Sequence, residues 1–355
     1  MNKKILVTGV LGQDGANMCE LLLKDPSAKV FGMIRRVSNP NYVNCLNFLD
    51  HSNFQLVYGD LTDEVSISKL VREIQPDYFI NFAANSYVAC SWDMPLHVFD
   101  TNTLGVIRCL EAIRSYQPNC RFYSAGSSEE LGDVDYSPQD INHPIKPRSP
   151  YGASKAATRH VVKVYRESYD MYAVHGVLFN HEGTKRGEEF VTRKITKGVA
   201  RIKHHLDTKT SIESFDPIEL GNIYSKRDWS DSEDFVEGVW LMLNQKEPKD
   251  YVLASGETHT IKEFIEKAFS VAGIHGGWVE TDGQPLDTTY QMSGDQYRVL
   301  VKINPKFYRP AEVSLLHGDA TPAKEELGWN PKVSFDELVS KMVEWDIENE
   351  KTHVP

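Results

Sequence analysis

Short apolar runs recur through the first half of the chain. Each is four to six residues long, and each is followed by a stretch whose apolar residues return every three or four positions. Lys4-Ile5-Leu6-Val7-Thr8 is the first such run; it stops at glycine and predicts a strand buried on both faces. The same pattern predicts strands at Lys29–Ile34, Phe54–Tyr58, Tyr78–Asn81, Arg121–Ser124 and Ala173–Leu178. Helical spacing lies between them, at Asp14–Lys24, Val65–Ile74, His97–Ser115 and Ser154–Tyr169. Strand and helix in alternation predict an α/β fold with a doubly wound parallel sheet, because parallel neighbours need crossover connections. The pattern then changes. Gly183–Asp228 and Glu257–Pro331 are richer in Gly, Pro and charge and read as a smaller lobe, while Val236–Leu243 is apolar enough to return to the flank of the main sheet. The two parts are therefore expected to interleave: 1–182 with 221–250 in the main unit, 183–220 and 251–355 in a C-terminal substrate lobe.

Composition narrows the function classes. The 355 residues carry 39 Lys plus Arg against 50 Asp plus Glu, a formal charge of −11, so the surface as a whole repels nucleic-acid phosphate. A bound phosphate must then meet a local cluster of donors. No apolar run approaches the roughly 20 residues of a membrane span. Met1–Val10 imitates the start of a signal peptide, with two lysines and a short apolar stretch, but it runs directly into Gly12-Gln13-Asp14-Gly15 without a cleavage-type segment. Five cysteines (Cys19, Cys45, Cys90, Cys109 and Cys120) lack paired metal-ligand spacing and read as reduced thiols, so no metal site is expected. These features together predict a cytoplasmic protein without a nucleic-acid or membrane partner.

The first chemical signal is Thr8-Gly9-Val10-Leu11-Gly12-Gln13-Asp14-Gly15, at the junction of the first strand and first helix. Glycines at 9, 12 and 15 allow a tight turn, close approach of a pyrophosphate and close helix–strand packing, and the helix N-terminus faces the phosphates. Among 23 glycines such spacing also arises by chance, and only its place in a βαβ pattern separates a Rossmann-type cofactor site from a loose turn. Arg35 and Arg36 stand at the end of the second strand, where NAD binding calls for a carboxylate; guanidinium suits the 2′-phosphate of NADP, the alternative being two solvated arginines. Asp60 and Leu61 after the third strand, and Ala83 and Ser86 after the fourth, complete a cofactor path in which Asp60 offers a carboxylate to an adenine amino group.

The second signal is a hydroxyl and carboxylate cluster, Ser127-Ser128-Glu129, followed by Tyr151 and Lys155 four residues apart at the start of a helix. An ammonium beside a phenol favours phenolate, so this pair is expected to lower the Tyr151 pKa and provide a base. Chance alone supplies roughly 1.8 Tyr–basic pairs at that spacing, so the weight rests on position after the fifth strand.

With these motifs the chain resembles the extended short-chain dehydrogenase/reductases and, within them, the GDP-mannose 4,6-dehydratase family. The resemblance is carried by Thr8–Gly15, Arg35-Arg36, Gly59–Asp63, Phe122–Glu129, Arg148–Tyr151, Tyr165–Tyr169 and Leu178–Glu182, and most specifically by Phe190–Thr196, Leu220-Gly221-Asn222, Lys226–Trp229 and Tyr308–Val313. It implies dehydration of GDP-mannose to GDP-4-keto-6-deoxymannose with recycled NADP. Tyr151 and Lys155 would serve the oxidation at C4, Glu129 the proton at C5, and Ser127 the acid relay at C6. It further implies cofactor contacts from Gln13, Asp14, His181 and Arg186. Ser86, Ser127, Ser128, Glu129, Asn180, Val191, Lys194, Gly221, Arg227, Arg309 and Glu312 would bind the sugar nucleotide, and the protein would be a homodimer or homotetramer.

This chain departs from the family pattern in several places. Glu130-Leu131-Gly132 replaces Leu-Tyr-Gly, Asn85-Ser86-Tyr87 replaces Gln-Ser-His, His97 stands for tyrosine, and Val37–Phe48 lacks a Ser-rich stretch. A GDP-manno-heptose is thus a second substrate to consider. An epimerase or reductase would have no need of a carboxylate at 129, and a dinucleotide sensor no need of the Ser127, Tyr151 and Lys155 set.

Overall fold

The computed structural model describes residues 3–208, 215–280, 285–294, 298–309 and 311–350. Met1 and Pro310, both within motifs read above, lie outside the described residues, as do the parts of the expected smaller lobe at 209–214, 281–284, 295–297 and 351–355. Six strands form where the apolar runs stand: β1 (Lys3–Thr8), β2 (Ala28–Ile34), β3 (Phe54–Tyr58), β4 (Tyr78–Asn81), β5 (Arg121–Ala125) and β6 (Ala173–Leu178). A seventh, Tyr251–Leu253, adds to the edge, and the order is (Tyr251–Leu253)-β6-β5-β4-β1-β2-β3, all parallel. The chain reverses its direction of winding between β1 and β4. Ligands bind outside the carboxyl ends of such sheets at this switch point.

The consecutive apolar residues of the strands supply two cores. Ile5 and Val7 face one, with Val30, Ile80, Val174 and Val177, covered by helices Gln13–Leu22 and Ser232–Leu243. Leu6 faces the other, with Phe31, Phe79 and Phe122, covered by helices Glu64–Ile74, Gly105–Tyr116 and Pro150–Tyr169. A third core lies under a four-stranded sheet of Gly276–Val279, Thr289–Met292, Val299–Ile303 and Ile218–Leu220; it includes Ile195 and Val199, Phe264 and Phe269, and Met342.

Two expectations need correction. The return to the main unit is made by the helix Ser232–Leu243 but does not coincide with 221–250. Lys226–Arg227 belongs to a separate three-stranded sheet, whereas Tyr251–Leu253 joins the main one, and Val313, Leu316, Ala323, Leu327 and Trp329 enter its core. The three residues Tyr251-Val252-Leu253 are too short a run to stand out as a strand by periodicity. The helix expected over His97–Ser115 is also interrupted, by a π-helical stretch at Asp100–Leu104 between Pro95–Phe99 and Gly105–Tyr116. That bulge presents Asn102, whose side chain accepts from Asn85 N at 2.8 Å and donates to Ser154 Oγ at 3.0 Å, tying the loop after β4 to the Tyr151 helix.

Candidate active site

One cleft of about 1780 Å³ runs along the carboxyl ends of the strands, and every site residue read from the sequence except Arg36 lines it. At one end is the glycine loop. Gly9 has φ of +71°, and a Cβ there would meet Ala83 N at 2.8 Å; a Cβ on Gly15 would meet Gly9 O at 2.3 Å. Backbone therefore packs on backbone where a pyrophosphate approaches. Thr8 Oγ1 donates to Asn81 Oδ1 at 2.7 Å and accepts from Ala83 N at 3.0 Å, locking together the ends of β1 and β4. Arg35, Asp60, Leu61 and Ser86 follow along the wall. Asp60 Oδ1 is engaged by Thr62, accepting from its N–H at 2.9 Å and its hydroxyl at 2.8 Å.

Asp14 and His181 meet each other across the cleft floor, with His181 Nε2 to Asp14 Oδ2 at 3.0 Å. Gln13 Nε2 donates to Asp14 Oδ1 and to His181 O, both at 3.0 Å. The imidazole stacks on Phe235, 4.7 Å between ring centres. Burial works to raise Asp14, but His181, Arg186 and Gln13 outweigh it and hold the carboxyl at about 2. Burial likewise works to lower His181, and the charge of Asp14 overrides it and raises the imidazole. This ion pair sews the glycine-loop helix to the strand Asn180–Glu182.

The hydroxyl cluster sits where β5 ends. Ser127 caps a single 3₁₀ turn, Ser128–Glu130, and its Oγ accepts from Glu129 N at 3.3 Å. The helix Pro150–Tyr169 begins beside it, capped by Ser149, whose Oγ accepts from Gly152 N at 3.0 Å. A Cβ on Gly152 would meet Glu129 O at 2.4 Å, so the helix start can press directly on the turn. The Ser127 hydroxyl lies close enough to the Tyr151 phenol to favour its anion. Lys155 Nζ donates to Ala125 O at 2.5 Å and stands 5.8 Å from the Tyr151 ring centre.

Here the expected electrostatics are corrected. Burial, with the negative charges of Glu129 and Glu130, pushes the Tyr151 phenol up to about 12 against the lowering effects of Ser127 and Arg186. Burial draws Lys155 down to about 8, partly opposed by Glu130 and Asp14. The sequence places an ammonium near a phenol; desolvation of both groups was not legible in it.

The opposite wall is cationic. Arg227, buried in the strand Lys226–Arg227, donates from Nη2 to Glu312 Oε1 at 2.9 Å, and Arg309 Nη1 lies 3.5 Å from Glu129 Oε1. Burial lowers Arg227, countered by Glu129 and Glu312. Lys194 Nζ stands 3.6 Å over the ring of Phe307. Arg186 lies 3.6 Å over Phe190 and pairs with Glu182 at 3.0 Å. Gly221 lets this wall close, because a Cβ would meet Phe307 O at 2.5 Å. Asn180 lines the cleft, and its Oδ1 is buried without a hydrogen-bond partner. Val191 and Ser128 complete the lining.

Of Glu182, Phe190 and Phe307, which hold these cations, the first two stood in the sequence only as parts of family motifs and Phe307 in none, since a carboxylate or ring acquires that role only by folding against its partner. Of the departures from the family pattern, Tyr87 and His97 line the cleft, while Glu130 and Leu131 are fully buried behind it. Among the described residues no group of three His, Cys, Asp or Glu could hold a metal ion, and no helix is long and apolar enough to cross a membrane.

The family described as "GDP-mannose 4,6 dehydratase" matches residues 6–342. A GDP-mannose 4,6 dehydratase of Drosophila melanogaster is 42% identical over 355 residues, covering 98% of this chain and 87% of that protein. The GDP-mannose 4,6-dehydratase of Yersinia enterocolitica is 40% identical over 371 residues, covering 99% and 95%. Among solved structures, a dTDP-glucose 4,6-dehydratase from Bacillus anthracis in complex with NAD superposes with a TM-score of 0.78 at 20% identity, covering 98% of both chains. A UDP-glucose 4-epimerase from Thermus thermophilus in complex with NAD gives 0.77 at 24%, covering 97% and 98%.

Proposed function

This chain belongs to the GDP-mannose 4,6-dehydratase family, a family of hydro-lyases, and from that premise we propose that it converts GDP-mannose to GDP-4-keto-6-deoxymannose with NADP as a recycled cofactor. The observation that carries the reading is the convergence of Glu129, the Ser127–Tyr151 pair and the cationic wall of Arg227 and Arg309 in the cleft that begins at the glycine loop. The residues at that loop fit a dinucleotide: the backbone is bare at Gly9 and Gly15, and Arg35 rather than a carboxylate ends β2, which favours NADP over NAD. Held by the glycine loop and Arg35, NADP would supply reversible hydride acceptance along the strand ends.

The protein's own groups manage the protons. The Tyr151 anion, favoured by the Lys155 ammonium against the burial that raises the phenol, takes the proton of the C4 hydroxyl. The ketone so formed on the sugar acidifies C5, and the Glu129 carboxylate removes that proton. Ser127, beside Tyr151, relays the proton taken by Tyr151 to the hydroxyl leaving C6. Glu129, whose carboxyl proton exchanges with solvent, then protonates C5. Arg227 and Arg309 bind the pyrophosphate by bidentate, charge-assisted hydrogen bonds, and Glu312 accepts from ribose hydroxyls. The family reading also carries a homodimer or homotetramer in the cytoplasm.

A second reading, the same reaction on a GDP-manno-heptose, is favoured by Tyr87 and His97, which depart from the family pattern and line the cleft. Mass spectrometry after incubation with GDP-mannose and NADP⁺ in deuterated water tests both. The expected product is lighter by one water, carries deuterium at C5, and forms without net NADPH. Intact GDP-mannose with turnover of the heptose selects the second reading; conversion without water loss overturns dehydration altogether.

A further inference from the structure

Glu130 is fully buried immediately behind the cleft, at the position where the family resemblance leads one to expect leucine. A buried carboxylate costs far more than a leucine of similar size unless its oxygens are engaged. They are. Oε2 accepts from His175 Nε2 at 3.0 Å and from Ser127 N at 3.5 Å, and Oε1 faces Arg159 Nη1 at 3.5 Å. His175, in β6, is fully buried too. Its Nδ1 has no hydrogen-bond partner, which places the ring proton on Nε2, facing Glu130. Its backbone is held in turn, since His175 N donates to Asp250 Oδ1 at 2.8 Å and Asp250 pairs with Arg166 at 2.7 Å. Gly126 is the residue that lets the imidazole in: a Cβ there would meet His175 Nε2 at 2.2 Å.

The consequence falls on the turn that carries the chemistry. Ser127 and Glu130 cap each other reciprocally, so the carboxylate fixes the backbone from which Ser127 reaches Tyr151 and from which Glu129 enters the cleft. We propose that Glu130, clamped by His175, is a positioning residue of the dehydration, holding Ser127 and Glu129 in register with Tyr151. This rests on the dehydratase reading above.

Glu130→Leu removes both oxygens at similar volume; Glu130→Gln keeps an acceptor. In the NADP-loaded protein with GDP-mannose, E130L is expected to lower kcat by about tenfold or more with KM within about threefold, because the damage is to alignment rather than affinity. Amide exchange at Ser127 and Glu129 is expected to quicken by about tenfold in E130L, with E130Q close to wild type in both readouts. A folded E130L with wild-type kcat, unchanged exchange, or a loss that merely tracks the folded fraction overturns the proposal. Should E130L fail to fold, His175→Leu, with His175→Gln as its conservative control, carries the same expectations. A wild-type protein that releases no water from GDP-mannose refutes the dehydratase reading instead, and the exchange measurement then decides alone whether the pair holds the turn.

Discussion

Glu129 is the side chain on which the reaction class turns. It is buried, has Arg309 for a neighbour, and lies within the turn that Ser127 caps. Glu129→Gln keeps the shape and removes the base. It is expected to lower kcat by about 10²–10⁴-fold, the usual worth of a general base. Oxidation at C4 survives in that variant, so reduced nicotinamide accumulates, to about one equivalent per site, when GDP-mannose is added; absorbance under single turnover reads this, and wild-type steady-state turnover by the variant would remove Glu129 from the mechanism. At this scale the sequence was informative about which residues meet in the cleft, because Ser127, Glu129, Tyr151 and Lys155 sit at fixed offsets from the fifth strand. It was silent about their energetics. The raised Tyr151 and lowered Lys155 come from burial, which depends on what folds over them.

Between elements, the cleft is held by a few buried charges. Asp228 accepts from Ser255 N at 2.8 Å, Ser255 Oγ at 2.7 Å, Gly256 N at 2.9 Å and Gly318 N at 3.2 Å, fastening three segments next to Arg227. The Asp14–His181 pair does the same for the glycine-loop helix, and its contribution depends on pH. Asp14 is held below its ordinary value, so its share is present above about pH 4 and is lost as pH falls toward about 2. His181 is held above its ordinary value, so its share is complete below about pH 6.5 and is lost as pH rises through the raised value. Asp14→Asn is therefore expected to destabilise the fold most near pH 5.5, by roughly 2 kcal/mol, with a smaller deficit at about pH 3 and about pH 8. Urea unfolding across that range reads it; a deficit constant with pH would show that the pair is not an ion pair. The two halves of this contact lie 167 positions apart, which no local pattern reveals.

At the scale of the molecule, the cleft lies between the parallel sheet with its two cores and the lobe built on the third core. The glycine loop comes from the former, and Arg227, Arg309 and Glu312 stand on the facing wall. Arg227→Met is accordingly expected to raise KM for GDP-mannose by about 30–100-fold, the worth of roughly 2–3 kcal/mol for a lost charged hydrogen bond. NADP affinity, measured by calorimetry, should stay within about threefold. A fall in NADP affinity equal to the rise in KM would mean that the arginine supports the whole cleft rather than the sugar nucleotide.

The succession of strands β1 to β6 and their helices along the chain, the glycine loop and the positions of the Ser, Glu, Tyr and Lys set were determined by sequence alone, because each rests on local periodicity or on spacing from a strand end. Tertiary structure decided the rest: the late strand Tyr251–Leu253, the π-helical stretch at Asp100–Leu104, the cations held by Glu182 and Phe307, and the clamp of His175 on Glu130. Each of these depends on a partner far along the chain, and burial and electrostatics are set only when the two are brought together.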